Sequence, residues 1–310
     1  MAAHCRAAGY AISVSDSDPG RLLLATAQGL AVVQGSADAV DRAIAAADLV
    51  FSSLPHDAAL LAVAAQVARS ARPGSLFIDT STVSQQASAD VAALCQVAGV
   101  RYLRCTVSGN NHMAESAQLT VMASGPRAAF DAALPLLQLW GPNQFYLGDA
   151  EQARLMKLVV NLLIAQTSAM LSEGLALGRK GGLDWQAMWQ VLCVSAVASP
   201  ILKTKAVQLS ARDFTPTFTL AQMMKDLSLI LGAGRAAQVP LPQTALTFQL
   251  MQAAAAQGDA GDDYAAIIKA VERSAGLPTD LPPVASRQSP VASRQPPAAS
   301  RLNHLNAEPG

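Results

Sequence analysis

LVFSSLPHDAALLAVAAQVARSARPGSLFIDTSTV, residues 49–83, decides the fold. Leu49–Ser53 and Leu76–Asp79 are short apolar runs with aromatic and β-branched side chains. Each ends in polar or turn-forming residues and reads as a strand. Between them Ala58–Ser70 carries its apolar residues at helical spacing. A strand, a helix of this length and a second strand make the crossover that joins parallel neighbours. The same alternation extends outward. Ala11–Val14, Val100–Cys105, Leu119–Ala123 and Phe145–Leu147 read as further strands, and Ala39–Ala47, Ser84–Val97 and Arg127–Leu139 as further helices. This spacing predicts an α/β half with a doubly wound, mostly parallel sheet covered by helices on both faces.

The second half reads differently. Glu151 to Lys180 holds no proline for 30 residues and repeats Leu, Val, Ile, Met and Ala at helical spacing, which predicts one long helix. Asp184–Cys193, Pro200–Leu209, Leu220–Gln238, Leu241–Gln257 and Tyr264–Ser274 continue as helices, so this half is expected to be all-helical. From residue 277 the composition shifts again, with seven of the 17 prolines and the repeat Pro283-Val-Ala-Ser-Arg-Gln288, Pro290-Val-Ala-Ser-Arg-Gln295. Such a stretch cannot build a core, and a flexible tail is expected. The expected domains are therefore 1–148, 149–276 and the tail 277–310.

Of the 310 residues 51% are hydrophobic and only 14% charged, which excludes a chain disordered throughout. Lys plus Arg equals Asp plus Glu at 22 each, leaving no basic footprint for nucleic acid. The four cysteines form no Cys-x-x-Cys, and the four histidines show no metal-ligand spacing with them, so no metal is expected. No uninterrupted apolar run reaches the roughly 18 residues of a membrane span. Met1–Arg6 lacks the apolar stretch of a secretion signal. A cytoplasmic location without membrane or nucleic-acid partners is the expectation.

Several residues could carry chemistry. Gly232-Ala-Gly234-Arg-Ala-Ala237 fits Gly-x-Gly-x-x-Ala, but Pro240 stops any following helix and the next acidic residue is Asp259, so packing inside a helix is the better reading. Asp16 ends the strand Ala11–Val14, where a carboxylate suits the ribose hydroxyls of NAD and repels the 2′-phosphate of NADP. Asp79-Thr80-Ser81-Thr82 stands at the carboxyl end of a strand, where open α/β sheets bind ligands. In Val107-Ser108-Gly109 the glycine lets backbone approach an anion. Lys157 and Asn161 are spaced i, i+4 on one helical face, amid Leu155, Met156, Leu158, Val159, Val160 and Leu162. An amine there would be costly without a task.

With these motifs the chain resembles the β-hydroxyacid dehydrogenases, the group of 3-hydroxyisobutyrate dehydrogenase, tartronate semialdehyde reductase and glyoxylate/succinic semialdehyde reductase. The likeness runs from Met1 to Gly276. It includes Met1-Ala2 through Ala8-Gly9-Tyr10 to Asp16, Pro19 and Arg21, the Leu54-Pro55 loop, Asp79–Thr82, Ser108-Gly109, Lys157-x-x-x-Asn161, and Phe214, Phe218 with Lys225-Asp226-Leu227. The resemblance implies a Rossmann-type sheet, a nicotinamide cofactor, a small hydroxy acid or semialdehyde as substrate, and a homodimer or homotetramer. It also implies roles: Lys157 and Asn161 catalytic; Ser108, Gly109 and Asn110 on the substrate; Asp16, Leu54, Pro55, Thr82 and Lys225 on the cofactor, with Asp16 preferring NAD.

The chain departs from the family pattern in places. Family members carry about a dozen residues ahead of the position of Met1, supplying a first strand and Gly-x-Gly-x-x-Gly. An internal start codon, which the otherwise intact cleft favours, or a chain without its central strand would each explain this. Cys105-Thr106 replaces Ala-Pro, Asn110 a glycine, Ala117-Gln118 Gly-Thr, and Glu151 and Ala153 further glycines. Asn110, Asn111 and His112 either add donors around a more polar substrate or form loop surface. An impaired or non-catalytic homologue, or an imine reductase of the same architecture, are the alternatives. Lys157 counts against the last.

Overall fold

The computed structural model describes residues 1–33 and 37–279. Its first half runs α1 (Ala2–Ala7), β1 (Ser13–Val14), α2 (Pro19–Ala27), β2 (Ala31–Val32), α3 (Ala37–Ala46), β3 (Leu49–Ser52), α4 (Asp57–Ser70), β4 (Leu76–Asp79), α5 (Gln85–Val97), β5 (Arg101–Ser108), α6 (Asn111–Glu115), β6 (Thr120–Ser124), α7 (Arg127–Leu137) and β7 (Asn143–Tyr146). The second half is helical: α8 (Gln152–Lys180), α9 (Trp185–Leu192), α10 (Pro200–Ser210), α11 (Leu220–Ala236), α12 (Pro242–Ala256) and α13 (Ile267–Ser274).

β3, β4 and β5 pair in parallel, with Ser52 opposite Asp79 and Asp79 opposite Arg104. β5 and β6 are antiparallel, and β6 and β7 parallel again. β1 and β2 form a separate parallel pair. The sheet is thus in two pieces, and among the described residues no strand pairs with β3 on the side away from β4. The strand–helix alternation matches the sequence reading. α2, β2 and α6 were not expected, and β5 runs on to Ser108. The short β2 carries too few apolar residues to show a period. Tyr264–Ser274 opens as a 3₁₀ turn, Tyr264–Ala266, before α13.

Two apolar cores cover the sheet. Leu60, Val67, Phe77 and Val91 pack on one side, and Ile78, Leu103, Leu137 and Trp140 on the other. Alternate residues of β4 divide between them, as the pleat requires. Each fully buried leucine among them contributes about 1.5–3 kcal/mol. The helical half has its own core of Leu158, Met223, Leu227, Met251 and Ile267. Gly234 packs inside α11, where an added Cβ would lie 2.5 Å from Leu241 Cδ1, so this glycine serves close packing, whereas a Cβ at Gly232 would meet nothing within 4 Å. α8 is long and apolar enough to span a bilayer by length and composition, with mean hydropathy 1.4. Here it packs against α11, α12, α13 and the sheet.

Among the described residues five ion pairs lie almost wholly inside: Arg104–Glu151, Arg154–Asp79, Arg179–Glu272, Lys205–Asp263 and Arg212–Glu272. Of the segment expected as a tail, 277–279 are described and tied down, since Arg179 and Arg212 donate to the carbonyls of Pro278 and Thr279. The repeats lie outside the described residues.

Candidate active site

The carboxyl ends of β3 and β4 are stitched into one surface. Asp79, fully buried, accepts hydrogen bonds at Oδ1 from Ser52 Oγ on the neighbouring strand (2.5 Å) and from Ser81 Oγ (2.6 Å). Ser81 Oγ in turn accepts from the backbone N–H of Leu54 (2.7 Å). Thr80 donates twice to Ser52 O, from N and from Oγ1, both at 2.8 Å. The Leu54-Pro55 loop and the Asp79–Thr82 turn, separate in sequence, are therefore one rigid unit.

α8 rises from this surface. Glu151 stands at its amino end, paired with Arg104 of β5. Thr106 Oγ1 donates to Ala153 O (3.0 Å), and Ser124 Oγ accepts from Ala153 N (3.1 Å). The two residues that replace family glycines thus clamp the helix start to the sheet. Arg104, Thr106 and Ser108 alternate along β5 and share one face. The first two bond Glu151, which caps α8, and Ala153 in its first turn; Ser108 lies two residues further along the same strand face.

Further along α8, Asn161 is buried and its Nδ2 donates to Asp226 Oδ2 of α11 (2.6 Å). Lys225 Nζ lies 2.7 Å from Asp226 Oδ1 and donates to Thr82 O (2.7 Å). Lys157 sits within the field of this pair. Burial holds its amine below the usual lysine range, the Asp226 carboxylate pulls it up, and Lys225 pushes it down. The structure thus brings Lys157, Asn161, Lys225 and Thr82 together.

Two members of this group were missed, Asp226 and Arg154. Both are charged residues inside apolar helical runs, and that is the signal that could have found them, because such residues need buried partners. Arg154 donates from Nε to Ser88 Oγ (3.1 Å), from Nη1 to Ser81 O (2.6 Å), and from Nη2 to Asp79 Oδ2 and Tyr102 Oη (2.9 Å for the latter).

Gly109 has φ +139°, and an added Cβ would lie 2.6 Å from Leu119 Cδ2, so the residue after Ser108 must be glycine. Asn110 carries a structural task as well. Its Oδ1 accepts from Met113 N (3.0 Å) and caps α6, leaving only its amide N–H groups free to meet a ligand. His112 is exposed on α6 rather than in a loop. Ala117, where the family has glycine, keeps a left-handed backbone at φ +54°. Asp16 is exposed beyond β1; its Oδ1 accepts from Asp18 N (2.9 Å), and its Oδ2 lies 4.0 Å from Arg21 Nη1. Arg21, quoted in the N-terminal motif, was given no role.

The donor set fits a nicotinamide dinucleotide at both ends: a carboxylate past β1 for a ribose diol, and the Leu54-Pro55 and Thr82 backbone beside a half-buried amine. Among the described residues no group of three or more His, Cys, Asp or Glu could hold a metal ion.

Residues 1–148 match the sequence model described as the NAD binding domain of 6-phosphogluconate dehydrogenase. Residues 152–271 match that described as the NAD-binding of NADP-dependent 3-hydroxyisobutyrate dehydrogenase. The chain is 32% identical over 254 residues to 2-(hydroxymethyl)glutarate dehydrogenase of Eubacterium barkeri, covering 80% of this chain and 84% of that one. The chain belongs to the β-hydroxyacid dehydrogenase family. Glyoxylate/succinic semialdehyde reductase 1 of Arabidopsis thaliana is 31% identical over 65% of this chain and 70% of its own. The crystal structure of 3-hydroxyisobutyrate dehydrogenase from Salmonella typhimurium superposes with a TM-score of 0.78 at 26% identity, covering 86% of this chain and 94% of that chain. The protein is accordingly a nicotinamide-dependent oxidoreductase of the β-hydroxyacid dehydrogenase family, acting on a small molecule.

Proposed function

We propose that this dehydrogenase interconverts a small, polar 3-hydroxy acid and its semialdehyde, with Lys157 moving the hydroxyl proton. The observation that carries the reading is the half-buried Lys157 amine, one helical turn from an Asn161 that Asp226 holds in place. A bound nicotinamide ring would take up or give the hydride. Lys157, held below the usual lysine range, accepts the hydroxyl proton as neutral amine in oxidation and returns it in reduction. Asn161 orients the reacting oxygen. Ser108 and the backbone at Gly109 hold the carboxylate, and the free amide N–H groups of Asn110 favour a substrate with an added polar group. The domain roles follow: 1–148 carries the cofactor, and 149–276 completes the substrate site.

Asp16 favours NAD. Its exposed carboxylate suits a ribose diol and repels a 2′-phosphate, and with Asp18 it offsets the charge of Arg21. The test is a panel of 3-hydroxyisobutyrate, 2-(hydroxymethyl)glutarate, succinic semialdehyde, glyoxylate and a cyclic imine, each with both cofactors. Turnover of an acid or semialdehyde with NAD is expected. Asp16→Ser, which removes the carboxylate that would repel a 2′-phosphate and leaves Arg21 paired only with Asp18, shifts the ratio of kcat/KM toward NADP by about tenfold or more, equivalent to roughly 1.4 kcal/mol. Turnover of the imine alone would sink the substrate reading, and a wild-type preference for NADP the cofactor reading.

The protein acts as a dimer or higher oligomer. Leu163, Met170 and Leu177 are 59%, 65% and 77% exposed and recur every seven residues along α8, a seam suited to a second copy of the same helix. Beside it Met170, Leu183, Val191 and Val197 line an apolar cavity of about 480 Å³. Sedimentation velocity is expected to give at least a dimer, and Met170→Glu a monomer. A monomeric wild type at micromolar concentration would contradict this.

A further inference from the structure

Lys157 stands inside a closed circuit of hydrogen bonds. The Asp79 carboxylate binds Arg154, and α8 then runs about two turns to Asn161. Asn161 binds Asp226, the adjoining Lys225 reaches Thr82 O, and the Asp79–Thr82 turn closes the ring. Both carboxylates are fully buried. Lys157 lies three residues after one anchor and four before the other.

Arg154 is the part of this ring that no proton transfer requires. Its side chain is wholly buried, and every partner of its guanidinium belongs to the first half: Asp79 and Ser81 at the end of β4, Ser88 on α5 and Tyr102 on β5. A planar group bonded from all three nitrogens fixes both the rotation and the height of a helix. A buried pair of this kind contributes little stability beyond what a well-packed apolar replacement would give. What it does supply is direction.

We infer that Arg154 is a positioning residue, whose bonds to the Asp79–Ser81 turn set α8 so that the Lys157 amine meets the reacting oxygen. This rests on the reading of Lys157 as the proton carrier. A misplacement of about 1 Å in such a group costs on the order of 100-fold in rate.

The test uses the full chain with succinic semialdehyde and glyoxylate as substrates. Arg154→Met with Asp79→Asn replaces the ion pair by a neutral one. The asparagine oxygen still accepts from Ser52 and Ser81, and Ser88 and Tyr102 keep each other at 3.4 Å. This double variant is expected to keep its thermal midpoint, KM and NAD affinity while kcat falls about 10- to 100-fold. Arg154→Lys, which keeps the charge without the planar fork, is expected to recover part of the loss. If the double variant does not fold, Arg154→Lys alone decides: a lower kcat at unchanged midpoint supports the inference, and a wild-type kcat overturns it. A double variant with wild-type kcat, beside an inactive Lys157→Ala, also overturns it. If Lys157→Ala itself turns over normally, the underlying reading fails instead.

Discussion

Alanine at position 157 lowers turnover by about two to four orders of magnitude, the scale of a lost general acid and base, with NAD affinity nearly unchanged. The pH dependence follows from the amine's surroundings. In oxidation the neutral form accepts the proton, so the wild-type rate climbs with pH and levels off below the ordinary lysine value of about 10.4. Reduction uses the ammonium form and falls over the same range. The stability sign is opposite to that of a stabilising pair. The unfolded chain holds this proton more tightly, so between the folded and unfolded pKa values stability rises with pH, and below both Lys157 costs stability. Lys157→Met should therefore abolish turnover while the thermal midpoint holds or rises at neutral pH. A variant that loses only a few-fold in kcat would remove the lysine from the mechanism. One that loses activity and midpoint together would mark it as a packing residue.

Glu272→Ala destabilises the protein by about 3–5 kcal/mol. The Glu272 carboxylate is fully buried and serves two guanidiniums. Arg212 binds it through Nη1 at 2.9 Å and Nη2 at 2.7 Å, and Arg179 joins from α8. Alanine leaves both cations inside with no counter-charge and frees the carbonyls of Pro278 and Thr279 that the same arginines hold. In a protein of this size the loss lowers the midpoint by roughly 10 °C. Glu272→Gln keeps acceptor geometry and should lose less. Thermal unfolding of the three chains reads the effect, and a Glu272→Ala midpoint equal to wild type would show that the pair is solvated. The lesion lies on α13, outside the Lys157 group, so turnover per folded molecule should hold.

Much of this was legible before any coordinates. Leu76–Asp79 matches β4 residue for residue, because a fully buried strand with a polar stop leaves no competing period. α8 was equally plain from its proline-free apolar length. Lys157 and Asn161 stood out because polar groups on a greasy helix need a reason. What stayed hidden was long-range. No local pattern pairs Asp79 with Arg154 across 75 positions, or Asn161 with Asp226 across 65. The capping bond of Asn110 stayed hidden for a related reason: a capping oxygen and a ligand-binding oxygen look alike until the helix behind them is seen. Ala117 was hidden too: an alanine stands where the family pattern has glycine, yet its backbone is left-handed at φ +54°.

The five internal ion pairs also shape how the molecule meets water. They withdraw five cations and four carboxylates from an exterior that had few to begin with, since only 14% of the chain is charged and the sum is zero. The whole sequence has an isoelectric point near 6.9. Colloidal repulsion between molecules is then at its weakest around neutrality, and precipitation from concentrated stocks should be worst there and ease on either side.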